Sequence, residues 1–108
     1  VTVIVERELE IRNDVDVEAV VVRVHAAEKH PRYDWGARVE LSWDRSYEIF
    51  GVDPWQAVQL AMRFAPSAIS STTAFKEGRI SLWGTTARTP QEFDYLFNAL
   101  PPREEPKQ

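Results

Sequence analysis

The stretch Gly51-Val-Asp-Pro-Trp-Gln-Ala-Val-Gln-Leu-Ala-Met-Arg-Phe-Ala-Pro-Ser-Ala-Ile-Ser-Ser71 decides the fold. Its start is written by Asp53, whose carboxylate can accept from the orphan amides of a first turn. Pro54 follows, and its fixed φ and missing N–H suit the first helical position. Gln56 stands three residues after the cap, where a capping box places Glu or Gln. With Val58 at the zero of a helical wheel, Trp55, Ala61, Met62, Ala65 and Ile69 lie within about 60° of it. Phe64, Ala57, Ala68 and Leu60 widen the apolar arc round one side. Gln56, Gln59, Arg63, Ser67 and Ser70 are confined to a strip of roughly 80°. The phase carries across Pro66, because Ile69 stays on the apolar side and Ser67 and Ser70 on the polar side. The reading is one helix kinked near Pro66, against the roughly 3 kcal/mol that an interior proline costs. The alternative ends the helix at Ala65. An arc this wide asks for two neighbours, a sheet and something on the other flank.

Upstream of the helix the period changes from 3.6 to two. Residues 3–11 place Val3, Val5, Leu9 and Ile11 on one face and Ile4, Glu6, Glu8 and Glu10 on the other. Arg7 interrupts the apolar face. Its stem is expected over the core edge, with the guanidinium reaching out or pairing with a carboxylate, and an inward charge also protects an edge strand. Residues 17–26 form a second strand, with Val20, Val22, Val24 and Ala26 on one face and Arg23 and His25 on the other. Residues 35–43 form the third, where Ala37, Val39, Leu41 and Trp43 alternate with Arg38, Glu40 and Ser42. A turn at Asp44-Arg45-Ser46 leads to a short fourth strand over residues 47–50.

Downstream, residues 79–83 read as a last strand ended by Gly84. Thr89-Pro90-Gln91-Glu92 writes a second helix start, followed by Phe93, Leu96, Phe97 and Leu100 as a narrow apolar stripe. That stripe is the candidate to cover the open flank of the long helix. Pro101-Pro102 stops it. The expectation is a single α+β domain over residues 1–102, β-β-β-β-α-β-α, with an antiparallel sheet of about five strands backed by one long helix. The last strand is placed beside the first, which keeps the sheet antiparallel throughout. Residues 103–108 read as a disordered charged tail.

At 108 residues the chain is one domain with room for a core. It has no cysteine, so thiolate metal sites, disulfides and cysteine nucleophiles are excluded. A net charge of −4 argues against nucleic acid, whose phosphates attract basic surfaces, and for a basic protein partner. No apolar run approaches the about 20 residues a membrane span needs, and there is no signal-peptide pattern, so no membrane contact and a cytoplasmic location are expected. The chain opens on Val, which leaves a removed leader open.

No residue set announces catalysis, and no catalytic, cofactor or metal residue is expected. His25 on a strand and His30 beside a proline lack a metal-pair spacing. Ser70 to Thr73 are rich in hydroxyls, without a nucleophile elbow or a nearby histidine. The four glycines form no phosphate loop. Glu6, Glu8 and Glu10 share one wet strand face, so nothing drives their pKa values apart as a catalytic pair requires. They read as a solvated row or an acidic binding surface. Of the four tryptophans, Trp43, Trp55 and Trp83 fall on predicted core or core-edge positions. Trp35, after Pro31-Arg32-Tyr33-Asp34, is divided between core packing and an interface anchor.

Three segments carry a resemblance. They are Glu6-Arg7-Glu8-Leu9, then Gly51-Val52-Asp53 with Gln56-Ala57 and Gln59-Leu60-Ala61, and Gly78 with Leu82-Trp83-Gly84. Together the layout resembles small bacterial domains of unknown function, built as a strand meander, a Gly-Val-Asp-led helix and a closing strand. The resemblance spans the chain to Gly84 and leaves the C-terminal helix outside. It implies the fold and supplies no catalytic residue.

The functional expectation is a non-catalytic protein-binding module, in its concrete form an immunity or antitoxin-like partner of a basic toxin. The partner-binding candidates are Glu6, Glu8, Glu10, Asp34, Trp35 and Arg45. One alternative is a small-ligand binder or enzyme with its site at the sheet end near Asp34, Trp35 and Arg45. The other is a self-associating structural protein, a homo-oligomer joined through the wide helical arc or an exchanged last helix.

Overall fold

The computed structural model describes residues 2–99. Strand β1 (Val3–Arg12) and β2 (Val17–His25) are the period-two segments, joined by a turn in which the Asn13 amide donates to the Asp16 carbonyl. A two-residue strand β3 (Glu28–Lys29) precedes β4 (Trp35–Leu41) and β5 (Ser46–Gly51). Then come α1 (Pro54–Ser70), the single turn α2 (Thr73–Lys76), the short β6 (Ile80–Ser81) and α3 (Pro90–Asn98).

All strand pairs are antiparallel. Trp35 pairs with Lys29 on one side and Gly51 on the other, and Val39 with Val24 and Tyr47. β2 and β3 therefore lie along one edge of β4, and β5 along the other. The order across the sheet is β5, β4, β2 with β3, β1, β6. The last strand does sit beside the first, through Glu10↔Ser81 and Ile11↔Ile80. The sheet has six strands rather than about five, because the β2–β4 connection adds the β3 pair. The last strand is shorter than its apolar run. Its chain turns away at Leu82–Thr85, with Trp83 at φ 52° and Gly84 at φ 77°. Two consecutive positive φ values make a tight hairpin turn that glycine tolerates and tryptophan does not favour.

Helix α1 runs unbroken through Pro66. Asp53 Oδ1 accepts from the Gln56 amide at 2.8 Å, and Gln56 Oε1 accepts from the Val52 amide at 2.8 Å. At the other end Thr72 joins two helices. Its hydroxyl donates to the Ile69 carbonyl at 2.7 Å and accepts from the Phe75 amide at 3.3 Å. The face turned to the sheet is a ridge of Ala57, Ala61, Ala65 and Ala68, completed by Ile69, all buried. Opposite lie Leu9, Val20, Val22, Val39 and Leu41. Small side chains let the helix approach the sheet closely, and α1 packs chiefly on β4 and β5.

This ridge corrects the helical wheel. The buried direction is centred near Ala61, not Val58. Met62 is 47% exposed and Trp55 81% exposed, so Trp55 is neither core nor core edge. Phe93 of α3 is buried beside Phe75, and Leu96 and Phe97 are half-buried against the core. The C-terminal helix thus covers part of the open flank, as its stripe suggested. Leu100 and the expected tail over residues 103–108 lie outside the described residues. Among the described residues no helix is long and apolar enough to cross a membrane.

Candidate functional site

The inner face of β1 changes character along its length. Leu9 and Ile11 are buried, whereas Val5 is 38% exposed; Val3, expected on the same face, is carried to the outer face opposite His25 by the bulge before Val5. The cause is the placement of α1 over β4 and β5, which leaves the first half of β1 uncovered. A groove of about 480 Å³ results, with Val5, Val22 and Val24 on the sheet side, Met62 and Ala65 on the helix side and Phe97 at the end. Trp55 stands two turns before Met62 on the same face of α1, which extends the apolar surface past the groove.

Arg7 closes one wall. Its guanidinium donates to the Phe97 carbonyl and lies 5.0 Å from the Trp83 ring centre and 4.7 Å from that of Phe97. The expected outward reach or carboxylate pairing is replaced by a carbonyl and two aromatic faces. This choice is physically sound for a half-buried guanidinium, which is planar and weakly hydrated.

The outer face of the sheet carries a row of charges across three strands. Glu6 Oε2 meets Arg23 Nε at 2.9 Å, Arg23 Nη1 lies 3.5 Å from Glu40, and Glu40 Oε1 meets His25 Nε2 at 2.9 Å. The hydrogen bond from His25 holds the Glu40 carboxyl below its ordinary value of 4.5. Partial burial opposes this, and the charges of Arg23, His25 and Arg38 add to it. His25 is buried, and its Nδ1 has no hydrogen-bond partner among the described residues. Beside it a polar pocket of about 250 Å³ is lined by His25, Lys29, His30, Gly36, Arg38 and Glu48, among others. A Cβ at position 36 would stand 2.7 Å from the Glu48 carboxylate, so a larger residue there makes that side chain move aside. His30 Nδ1 accepts from the Arg32 and Tyr33 amides at 3.0 and 3.3 Å, and its Nε2 is 3.9 Å from Glu48. Among the described residues no group of three or more His, Asp or Glu side chains is arranged to hold a metal ion.

The sequence-derived candidates divide into two sets. Glu6, Glu8 and Glu10 lie together on the outer face of β1, all exposed. Glu6 is paired with Arg23, while Glu8 and Glu10 stand opposite Val21 and Ala19. Asp34 and Trp35 are at the start of β4, and Arg45 lies beyond its far end, 3.8 Å from Asp44. Seven residues of β4, about 23 Å of strand, separate them, so they do not form one site. Trp35 is half-buried, packs against the core and carries Lys29 Nζ 5.7 Å from its ring centre. Sequence reasoning missed Trp55, Met62 and Val5 as surface, and missed the meeting of His25 with Glu40. The β2–β4 register makes that meeting, and no local spacing records it.

No curated protein and no solved structure matches the chain. A family model described as "Domain of unknown function (DUF6968)" matches residues 5–92, from within β1 to the first turn of α3. With most of its length so matched, the chain belongs to this family of domains of unknown function.

Proposed function

We propose that this domain is a protein-binding module whose interface is the surface around the first half of β1. The observation that carries the reading is the apolar groove lined by Val5, Met62 and Phe97, flanked by exposed Trp55, Val3 and Ile4 and bordered by Glu6 and Glu8. Exposed apolar surface with a polar rim is how interaction sites look, and a lone accessible tryptophan is a frequent anchor. The carboxylates and the net charge of −4 select a basic partner. An immunity or antitoxin-like role toward a basic toxin is the concrete form. The buried His25 beside the polar pocket supports a second reading, a small polar ligand held there.

The test places a photo-crosslinking residue at Met62 or, as a control, at Lys76 in the full chain in its native cells. A basic protein captured from Met62 alone is then purified and its affinity measured. The expected result is tenfold or greater weakening by Met62→Asp and by Glu8→Lys. Undiminished binding to both variants, or capture only of a second copy of the chain, overturns the proposal.

A further inference from the structure

We infer that the partner binds by adding an extended antiparallel strand to the free edge of β1, with basic residues opposite Glu6 and Glu8 and apolar residues turned into the groove. The inference rests on the interface proposed above and specifies its mode.

The backbone makes the case. In a strand, successive residues send their N–H and C=O groups to opposite sides. The Arg12 amide donates toward β6, to the Arg79 carbonyl at 2.8 Å. Counting back by twos, Glu10, Glu8 and Glu6 aim their backbone groups at that same side. β6 reaches only Glu10 and Ile11. A bulge between Val3 and Val5 reverses the phase before this run, which is why the Thr2 carbonyl faces β2 and accepts from the Ala26 amide. Among the described residues nothing bonds to the edge-facing groups of Glu6 and Glu8. Strand addition uses this kind of edge, with main-chain bonds for affinity and alternate side-chain pockets for selectivity.

The side chains choose the occupant. Glu6 and Glu8 point to the outer face at the very positions whose backbone is free. An antiparallel partner residue directly opposite either one exchanges both hydrogen bonds with it and places its own side chain on the same face. Lys or Arg is favoured there. Intervening partner residues face inward: the one between the two lysines lies beside Arg7, and the next meets Val5 and a groove whose lining is mostly apolar, with Arg7 and Arg63 at its walls. A second copy of this chain is the wrong occupant. Pairing two β1 edges antiparallel about Arg7 sets Glu6 against Glu8 twice, and like charges directly opposite destabilise a sheet.

The probe is the capped peptide Lys-Val-Lys-Val-Lys-Val-Lys, titrated into the isotopically labelled full chain and followed by amide hydrogen exchange and chemical shifts. The expected result is tenfold or greater slowing of exchange at Glu6 and Glu8, with shifts at Met62 and Phe97. Backbone N-methylation of the lysines abolishes the slowing, and N-methylation of the valines does not, because only the lysine amides face β1. Glu6→Lys with Glu8→Lys reverses the preference toward a Glu-Val peptide. Shifts at Met62 without slowing at Glu6 and Glu8 overturn strand addition and leave the interface reading standing. Glu6 and Glu8 amides already protected in the free chain overturn it too, since the edge is then occupied by this chain's own residues or a second copy. Absence of any response around β1 to either peptide counts against both readings.

Discussion

Gly51→Ala and Gly36→Ala are the same chemical change in the same sheet, and the structure gives them different outcomes. Neither glycine adopts a left-handed conformation, so alanine fits both backbones. Both changes gain about 0.4–1 kcal/mol by restricting the unfolded chain. At Gly51 a Cβ would stand 2.5 Å from the Ala57 nitrogen and 2.9 Å from both Ala57 Cα and the Gln56 carbonyl carbon. These atoms are the first turn of α1. None of them can rotate aside, so the helix must lift from the sheet against its own buried alanines. Overpacking of this kind costs about 1–3 kcal/mol, and the net loss is about 1–2 kcal/mol. For a domain of this size each kcal/mol lowers the midpoint by roughly 4–8 °C. At Gly36 the first atom met is Glu48 Oε1, the tip of a half-exposed side chain that can swing into solvent. The loss of its 3.9 Å approach to His30 is worth little at the surface, so the change is within about 1 kcal/mol of neutral. Urea unfolding of both variants, followed by tryptophan fluorescence, compares them directly. A Gly51→Ala protein as stable as the parent, or a Gly36→Ala protein destabilised as much as Gly51→Ala, refutes this account of how β5 meets α1.

Asp53→Ala removes the cap that accepts from the Gln56 amide, and a loss of about 1 kcal/mol is expected in the same urea assay. Arg7→Met loses the Phe97 carbonyl bond and both aromatic contacts. The expected cost is about 2 kcal/mol, and Arg7→Lys recovers little of it because a point charge cannot serve the carbonyl and two ring faces together. The Glu40 carboxyl is held below 4.5 in the folded chain, so the folded state binds fewer protons there than the unfolded state. Its stabilising contribution is complete above pH 4.5 and is lost as pH falls through the lower folded value, and Glu40→Gln should flatten that part of the stability profile between pH 6 and 3. Trp55→Ser, at an 81% exposed position, should shift stability by no more than about 0.5 kcal/mol in thermal unfolding while weakening partner binding.

Much of this architecture was legible because its signals are local. Period-two alternation marked β1, β2 and β4, and the Asp53-Pro54 and Thr89-Pro90 pairs marked both major helix starts. Placing the last strand beside the first needed only a preference for antiparallel pairing. β3 was invisible because two residues next to a proline loop have no period. The single turn α2 hid in Ser71-Thr72-Thr73, residues that read as a helix exit and serve instead as a cap. The wheel erred for a different reason. It was centred on Val58, with Trp55 and Met62 inside the arc, whereas the helix was aimed by alanines, whose signal is weak in any hydrophobic average. Of the surface proposed as an interface, only part had a local signal. The glutamate row could be read, but the groove depends on where α1 sits across the sheet. Pairing Asp34 and Trp35 with Arg45 treated both ends of β4 as one.

The alanine ridge of α1 separates two requirements that most interfaces keep entangled. Alanine side chains lose no rotamer freedom on burial, and they hold the helix by closeness rather than by bulk. Two larger residues of the same helix, Trp55 and Met62, are left out of the core. Their flank, with Gln59 between them, is free to be rewritten without loosening the domain. If the proposed interface holds, a lineage of such chains can change partners by drift on that flank while the ridge beneath stays under strict constraint. Sequence variation among relatives should therefore concentrate at 55, 59 and 62 and avoid 57, 61, 65 and 68.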